Sequence, residues 1–254
     1  MPLRTPILAG NWKMHLGPSD TEAFFEAFLA RHPERADGTV IFFPPSLSLA
    51  AALRAAAGRS DVRFGVQNLY HEPAGAFTGE VSAPIARDAG AEFALVGHSE
   101  RRHVFGETVP ETARKTRAAL EADLLPILCV GETLVERRDG RAHAVVTDQL
   151  AGVLDGLPQA DIGALLIAYE PVWAIGTGET ASPQDAADMH HHIRTDLVRR
   201  VGDEAAAKIP ILYGGSVKPD NAAELLGADQ VDGVLVGGAS LKPHDFAAIC
   251  AAAY

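Results

Sequence analysis

The chain has 254 residues, of which 47% are hydrophobic and 22% are charged, so it is long enough for one large α/β barrel or for two small domains. Its formal net charge of −11 argues against nucleic acid or an anionic membrane as a partner. Residues 1–6 lack the apolar run of a signal peptide, and no later stretch reaches the roughly 18 uninterrupted apolar residues of a membrane span. Two cysteines, Cys129 and Cys250, are too few for a disulfide framework and lack metal-ligand spacing. We therefore expect a soluble, cytoplasmic protein with reduced, buried thiols.

Short apolar runs alternate along the chain with longer segments of helical period, and no linker-like or charge-rich block divides them. Most of these runs are apolar at every position, which is typical of parallel strands that are buried on both faces. The predicted strands are Ile7–Ala9, Val40–Phe43, Val62–Val66, Phe93–Val96, Leu125–Val130, Leu165–Tyr169, Ile209–Tyr213 and Val234–Val236.

Helix-start patterns follow several of the predicted strands. Ser19 with Glu22 and Thr108 with Glu111 predict capping boxes, and Ser182 precedes a proline at a first helical position. Eight strand–helix repeats in this length favour a closed parallel barrel over a doubly wound sheet. The sequence therefore predicts an α/β fold, a single-domain (β/α)8 barrel over residues 1–254 with eight parallel strands surrounded by helices.

In such a barrel, binding and catalytic residues lie on the loops that follow the carboxyl ends of the strands. Polar residues and glycines are concentrated after six of the predicted strands, so these loops should face one mouth. The segments are Gly10–Lys13, Gln67–Asn68, Gly97–Arg101, Glu170–Gly178, Gly214–Ser216 and Gly237–Gly238.

Two of these loops, after strands seven and eight, each contain a Gly-Gly pair. Glycines after strands commonly serve tight turns, but two consecutive loops of this kind match the place where barrels bind phosphate. Backbone N–H groups without side chains can approach an anion closely. The pattern predicts a phosphate cradle, with simple turns as the alternative.

Three side chains at the predicted mouth could carry chemistry. Lys13 follows the first strand, where a cation would serve an anionic substrate, although most lysines are simply solvated. His98 lies at a strand end between a glycine and a serine, so it is either catalytic or structural. Glu170 directly follows an apolar strand and should emerge at the rim of the barrel as a positioned base.

His190, His191 and His192 resemble a metal site only at first sight. Consecutive residues on a helix point in different directions and cannot easily converge on one ion. We expect them to form a partly exposed helix surface.

One carboxylate, one imidazole, one amine and a phosphate cradle suit proton abstraction next to a carbonyl on a small phosphorylated substrate. The sequence contains no nucleotide-binding fingerprint and no metal-ligand cluster, so no cofactor and no metal are expected. Isomerase and aldolase chemistry both remain open on this evidence.

Five segments at these strand ends resemble the triosephosphate isomerase family. The resemblance runs from the first strand to the last in the family's order, and so covers nearly the whole chain. The segments are Gly10–Met14 (GNWKM), Gly97–Arg101 (GHSER), Ala168–Gly178 (AYEPVWAIGTG), Tyr213–Val217 (YGGSV) and Leu235–Ser240 (LVGGAS).

The resemblance implies that Glu170 moves a proton between C1 and C2 of a triose phosphate while His98 polarises the carbonyl and shuttles protons between the oxygens. It implies that Asn11 and Lys13 hold the enediolate and the phosphate. It also implies that Glu100 lies near Lys13, with the role of a buried ion-pair partner as an equal alternative.

The resemblance further implies that backbone N–H groups bind the phosphate and that Pro171–Gly178 forms a closing lid. The backbone N–H groups that the resemblance assigns to phosphate are those of Gly176, Ser216, Gly237 and Gly238. Gly75–Glu80 resembles the loop that the family inserts into a neighbouring subunit, which implies a homodimer. The chain departs from the family at His15, where asparagine is common, and in the individual stretch His71–Ala74.

Two alternatives stay under consideration. A phosphosugar aldolase would use Lys13 as a Schiff base, which requires the amine to lose its proton. A non-catalytic phosphate-binding barrel would keep the glycine cradle but would have no need for both Glu170 and His98.

Overall fold

The computed structural model describes residues 3–175 and 181–254 as a closed barrel of eight parallel strands in sequence order, which confirms the predicted fold class. The barrel closes where the first strand pairs with the last, with Ile7 opposite Gly233. The strands are β1 (Ile7–Asn11), β2 (Thr39–Phe43), β3 (Val62–Val66), β4 (Phe93–Val96), β5 (Leu125–Val130), β6 (Leu166–Tyr169), β7 (Ile211–Tyr213) and β8 (Gly233–Val236).

The core has two apolar layers because successive side chains on a strand point to opposite faces. On β2, Phe43 belongs to the cluster inside the barrel, whereas Phe42 belongs to the cluster between the barrel and the helices. The ring of Phe42 packs 5.2 Å from Phe28 and 5.2 Å from Phe246, measured between ring centroids. Both faces of each strand are therefore buried, as the apolar runs predict.

All eight predicted strands are present, with differences at their ends. Leu165 and Ile209 were predicted to lie in strands but precede β6 and β7, although both are buried. Asn11 was predicted to follow β1 but is its last residue, opposite Phe43. The first strand therefore delivers this side chain directly to the mouth.

Helices connect the strands and surround the barrel. They are α1 (Pro18–Leu29), α2 (Leu49–Ala55), α3 (Ala83–Asp88), α4 (Ser99–His103), α5 (Val109–Glu121), α6 (Leu134–Arg138), α7 (Ala142–Leu154), α8 (Gln159–Ile162), α9 (Pro183–Val201), α10 (Asp203–Ala206), α11 (Ala222–Leu226) and α12 (Pro243–Ala251). Short 3-10 turns cover Ser46–Ser48, Val172–Ala174 and Gly238–Leu241. None of the helices in the described residues has the length and apolarity that a membrane crossing requires.

Two of the three predicted helix starts are confirmed. Thr108 forms the capping box of α5, and Ser182 caps α9 with a proline in the first turn. The predicted box of Ser19 with Glu22 is wrong, because α1 already begins at Pro18 with Gly17 as its N-cap. Proline is favoured at the first helical position, so it moves the start of the helix one residue ahead of the serine.

The histidine run on α9 differs from the prediction at one position. His190 is fully buried, and its Nδ1 lies 3.0 Å from the carbonyl oxygen of Gln230, so the prediction of a partly exposed surface is wrong for this residue. Burial lowers the pKa of His190 to about 4. His191 is exposed, and His192 stacks on His143 with 4.2 Å between the ring centroids.

Candidate active site

The carboxyl ends of the strands surround a cavity of about 390 Å³. Every predicted site residue within the described ranges lines this cavity, namely Asn11, Lys13, His98, Glu170, Ser216, Gly237 and Gly238. Gly176 and the rest of the predicted lid beyond Ile175 lie outside the described residues. A larger hollow of about 600 Å³ lies against α9 and is lined by none of these residues, so the mouth cavity is the candidate site.

Glu170 is held at the end of β6 and is only 2% exposed. Its backbone N–H donates to the carbonyl oxygen of Val130 on β5, at 2.8 Å. In the side chain, Oε2 accepts a hydrogen bond from the N–H of Ser99 at 2.8 Å, and Oε1 lies 3.0 Å from Nε2 of His98. The carboxylate is therefore a positioned group rather than a solvated surface charge.

His98 is the N-cap of α4, and its Nδ1 accepts a hydrogen bond from the N–H of Glu100 at 3.3 Å. A neutral imidazole that accepts at Nδ1 carries its proton at Nε2. That nitrogen faces Glu170 and lies 3.3 Å from Nδ2 of Asn11. Gly97 has a φ of +70°, and this left-handed turn directs the histidine into the mouth.

Asn11 and Lys13 are tied to each other. Oδ1 of Asn11 accepts the N–H of Lys13 at 3.0 Å, which leaves the amide nitrogen of Asn11 directed at His98. Lys13 has a φ of +52°, an uncommon conformation for a residue with a side chain. Gln67 supports it, because its Nε2 donates to the carbonyl oxygens of Lys13 at 2.7 Å and Phe43 at 2.8 Å.

The amine of Lys13 lies 2.6 Å from Oε1 of Glu100, as the resemblance implies. The Glu100 side chain is 44% exposed, so the ion pair lies at the open edge of the site and is not buried. A methyl group added at Gly237 would lie 3.3 Å from Cε and 3.7 Å from Nζ of Lys13. The lysine amine therefore reaches the glycine loop that follows β8.

The two Gly-Gly loops lie together at one side of the cavity. A methyl group added at Gly215 would come within 2.1 Å of the Tyr213 hydroxyl oxygen, so only glycine fits there without movement. Gly238 begins the 3-10 turn after β8, where the first N–H groups have no partner within the turn. Backbone donors without side chains in front of them form a concave surface that suits an anion.

Several residues of the site were not predicted. His15 and Lys218 also line the cavity, and both are exposed. Together with Lys13, Lys218 brings the number of amines at the mouth to two, in a protein with a net charge of −11. No sequence pattern marks His15 or Lys218 as a residue of the site.

Glu132 was not predicted either, although it follows the carboxyl end of β5, the kind of position where the other site residues were predicted. This fully buried carboxylate accepts hydrogen bonds from the hydroxyl of Tyr169 at 3.1 Å and from Nε1 of Trp173 at 2.8 Å. Nη1 of Arg137 donates to it at 3.2 Å. These hydrogen bonds connect Tyr169, the residue before Glu170, and Trp173, in the predicted lid, to the loop that follows β5.

No group of three or more histidine, cysteine, aspartate or glutamate side chains in residues 3–175 and 181–254 is arranged to hold a metal ion. Nε2 of His98 lies 3.0 Å from Oε1 of Glu170 and 3.3 Å from Nδ2 of Asn11, beside a surface that suits an anion. Such an arrangement suits proton transfer next to a carbonyl whose oxygen becomes negative.

Known proteins are similar to this chain over nearly its whole length. The family model described as Triosephosphate isomerase matches residues 6–253. A triosephosphate isomerase of Solibacter usitatus is 49% identical, with 97% of this chain and 99% of that protein covered. One from Moorella thermoacetica is 48% identical, with coverages of 97% and 98%. The crystal structure of triosephosphate isomerase from Bartonella henselae aligns with a TM-score of 0.86 at 40% identity and covers 98% of each chain. This chain belongs to the triosephosphate isomerase family.

Proposed function

We propose that this chain interconverts dihydroxyacetone phosphate and D-glyceraldehyde 3-phosphate by proton transfer through an enediolate intermediate. The observation that carries the proposal is the buried Glu170 carboxylate beside Nε2 of His98, at 3.0 Å, in a cavity with two glycine-rich loops. The reaction needs a base for carbon, a donor for oxygen and a site for phosphate. Each of these has a group in the cavity.

Glu170 is the proposed base that moves the proton between C1 and C2. Without substrate, its two oxygens interact with the N–H of Ser99 and with His98. A substrate that enters the cavity has to take the place of one of these partners, which brings the carboxylate to the substrate carbon. Burial of the carboxylate keeps water from competing for the proton.

His98 and Asn11 are the proposed donors to the substrate oxygens. The proton on Nε2 and the amide N–H of Asn11 approach one region from two strands, β4 and β1. Their alignment is fixed before substrate binds, because Nδ1 and Oδ1 each accept a backbone N–H. Fixed donors stabilise negative charge that develops on an oxygen without further reorganisation.

Phosphate binding is assigned to Lys13 and to the backbone N–H groups of Ser216, Gly237 and Gly238, with Gly176 as a further donor. The amine of Lys13 lies between the catalytic pair and the β8 loop, since it bonds to Glu100 and lies beside Gly237. It therefore serves the phosphate and the enediolate together. Pro171–Gly178 is the proposed lid.

A homodimer through Gly75–Glu80 is also proposed. Phe77 is 39% exposed at the tip of this loop, and other apolar side chains follow the neighbouring strands β1, β2 and β4. These are Met14, Leu47, Val104 and Phe105. Loops after adjacent strands are neighbours at the mouth, so the exposed side chains form an apolar face that a second copy would cover.

We propose in addition that residues 1–254 act as one catalytic domain in the cytoplasm. The barrel uses strands from Ile7 to Val236 and has no interruption among its eight members. Cys129 and Cys250 are both free and buried, which suits a reducing compartment.

The aldolase alternative is disfavoured by the contact of Lys13 with Glu100. A Schiff-base nucleophile needs an amine that is free to attack a carbonyl, whereas the amine of Lys13 is engaged by a carboxylate at 2.6 Å. A purely phosphate-binding barrel is disfavoured because it gives no role to the buried pair of Glu170 and His98.

A coupled assay with glyceraldehyde 3-phosphate tests the proposal. Purified protein should isomerise the substrate, and Glu170→Gln should lower kcat by at least about 100-fold, the scale of general acid–base catalysis, with little change in the melting temperature. His98→Gln should act mainly on kcat. An inactive wild-type protein, or a Glu170→Gln variant with full turnover, would reject the assignment.

A further inference from the structure

Arg102 ties together the two strand ends that bracket the proposed base. It lies in α4, the helix that begins directly after His98. Its Nε donates to the carbonyl oxygen of Gly97 at 2.7 Å, and its Nη2 donates to the carbonyl oxygen of Cys129 at 3.0 Å. The first carbonyl belongs to the residue before His98. The second belongs to β5, whose Val130 accepts the backbone N–H of Glu170.

The backbone makes room for this guanidinium. A methyl group added at Gly97 would lie 2.5 Å from Nη2 and 3.0 Å from Cζ of Arg102. The glycine is therefore needed twice, for its φ of +70° and for the space that the arginine occupies. A planar group with fixed donors then sets the distance between the end of β4 and the end of β5.

The charge of Arg102 is not matched by a salt bridge to any described residue. Burial lowers the pKa of Arg102, and the negative charges of Glu107 and Glu170 act against that effect. Glu107 is already engaged, because Nζ of Lys115 lies 2.6 Å from its Oε2. Guanidinium remains charged in proteins, so a positive charge persists behind the catalytic pair.

We propose that Arg102 is a positioning residue for the catalytic pair. It fixes the Gly97 and Cys129 carbonyls, which set His98 and the strand end beside Glu170. The effect on catalysis rests on the proposed function, whereas the geometry of the two strand ends does not depend on the substrate.

Backbone amide NMR tests the positioning without substrate. In Arg102→Met the amide resonances of His98 and Glu170 should shift, because the carbonyls of Gly97 and Cys129 lose their common donor. Arg194→Met is the matched control, since Arg194 also donates to a backbone carbonyl, that of Ile209 at 2.6 Å, but lies on α9. Unshifted His98 and Glu170 resonances in Arg102→Met would overturn the positioning role.

Kinetics test the positioning part. In Arg102→Met kcat should fall by at least about tenfold with KM nearly constant. Arg102→Lys should also lose kcat, because an ammonium cannot reproduce both bonds of the planar group. Full kcat in Arg102→Lys would overturn the positioning role.

Arg102→Gln, which keeps an amide donor without the charge, is measured in the same way should the methionine variant fail to fold. The two proposals fail separately. A wild-type protein without isomerase activity rejects the proposed function, while the amide resonances still decide whether Arg102 positions His98 and Glu170.

Discussion

Acidification is expected to destabilise this barrel through His190. The imidazole is fully buried on α9, with Nδ1 bonded to the carbonyl oxygen of Gln230 and the ring 6.0 Å from that of Tyr169, measured between centroids. Its Nε2 has no hydrogen-bond partner among the described residues. Protonation would place a charge in this position, so burial lowers the pKa of His190 from 6.5 to about 4.

The sign and size of the His190 contribution to the free energy of unfolding follow from proton linkage. Between these two values the unfolded chain binds a proton at His190 and the folded chain does not, so stability is fully present above pH 6.5 and is lost as the pH falls toward 4. The whole difference corresponds to about 3 kcal/mol in the free energy of unfolding. Between pH 7.5 and pH 5.0 the same relation gives about 2 kcal/mol.

Urea unfolding at pH 7.5 and pH 5.0, at one protein concentration, measures this contribution. His190→Asn keeps a donor near the position of Nδ1 but cannot be protonated. It should therefore lose about 2 kcal/mol less than the wild-type protein on acidification. His191→Asn, at the exposed neighbouring position, should behave like wild type. Equal losses in the wild-type protein and in His190→Asn would refute the assignment.

Three further outcomes are expected. Phe77→Glu should shift the light-scattering mass from about twice the chain mass toward the 26.8 kDa of one chain, because a charge would enter the proposed apolar interface; an unshifted mass would contradict that interface. Lys218→Gln should lower kcat/KM for the anionic substrate several-fold at low salt and much less at high salt, and a difference independent of salt would exclude electrostatic steering. Cys129 and Cys250 should react with a thiol reagent only after unfolding, since burial raises the pKa of both thiols, so rapid labelling of the native protein would contradict their burial.

The sequence predicted the strands best, because each strand is marked by a short run of apolar residues. Apolar runs located all eight strands, because a closed parallel barrel buries both faces of each strand. The same property hides the strand ends, since Leu165 and Ile209 are as apolar and as buried as the paired residues that follow. The predicted start of α1 at Ser19 is wrong because Pro18 occupies the first helical position and Gly17 is the N-cap.

The site residues that line the cavity could be predicted because strand ends mark them. The supporting groups could not be predicted in this way. Arg102 acts through the backbone carbonyls of Gly97 and Cys129, and such contacts leave no pattern in one sequence. The burial of His190, in contrast, could have been predicted. Ala186, His190 and Ile193 share one helix face, and that spacing indicates burial.

Proton transfer by Glu170 is tested most directly by isomerisation of dihydroxyacetone phosphate in D2O, followed by NMR. The wild-type protein should form D-glyceraldehyde 3-phosphate that carries deuterium at C2, because the abstracted proton exchanges with solvent on the carboxylate before it returns to carbon. Glu170→Gln, with its fold intact by circular dichroism, should form that product at least about 100-fold more slowly. Formation of the product at the wild-type rate in Glu170→Gln, or its absence with the wild-type protein, would contradict the account.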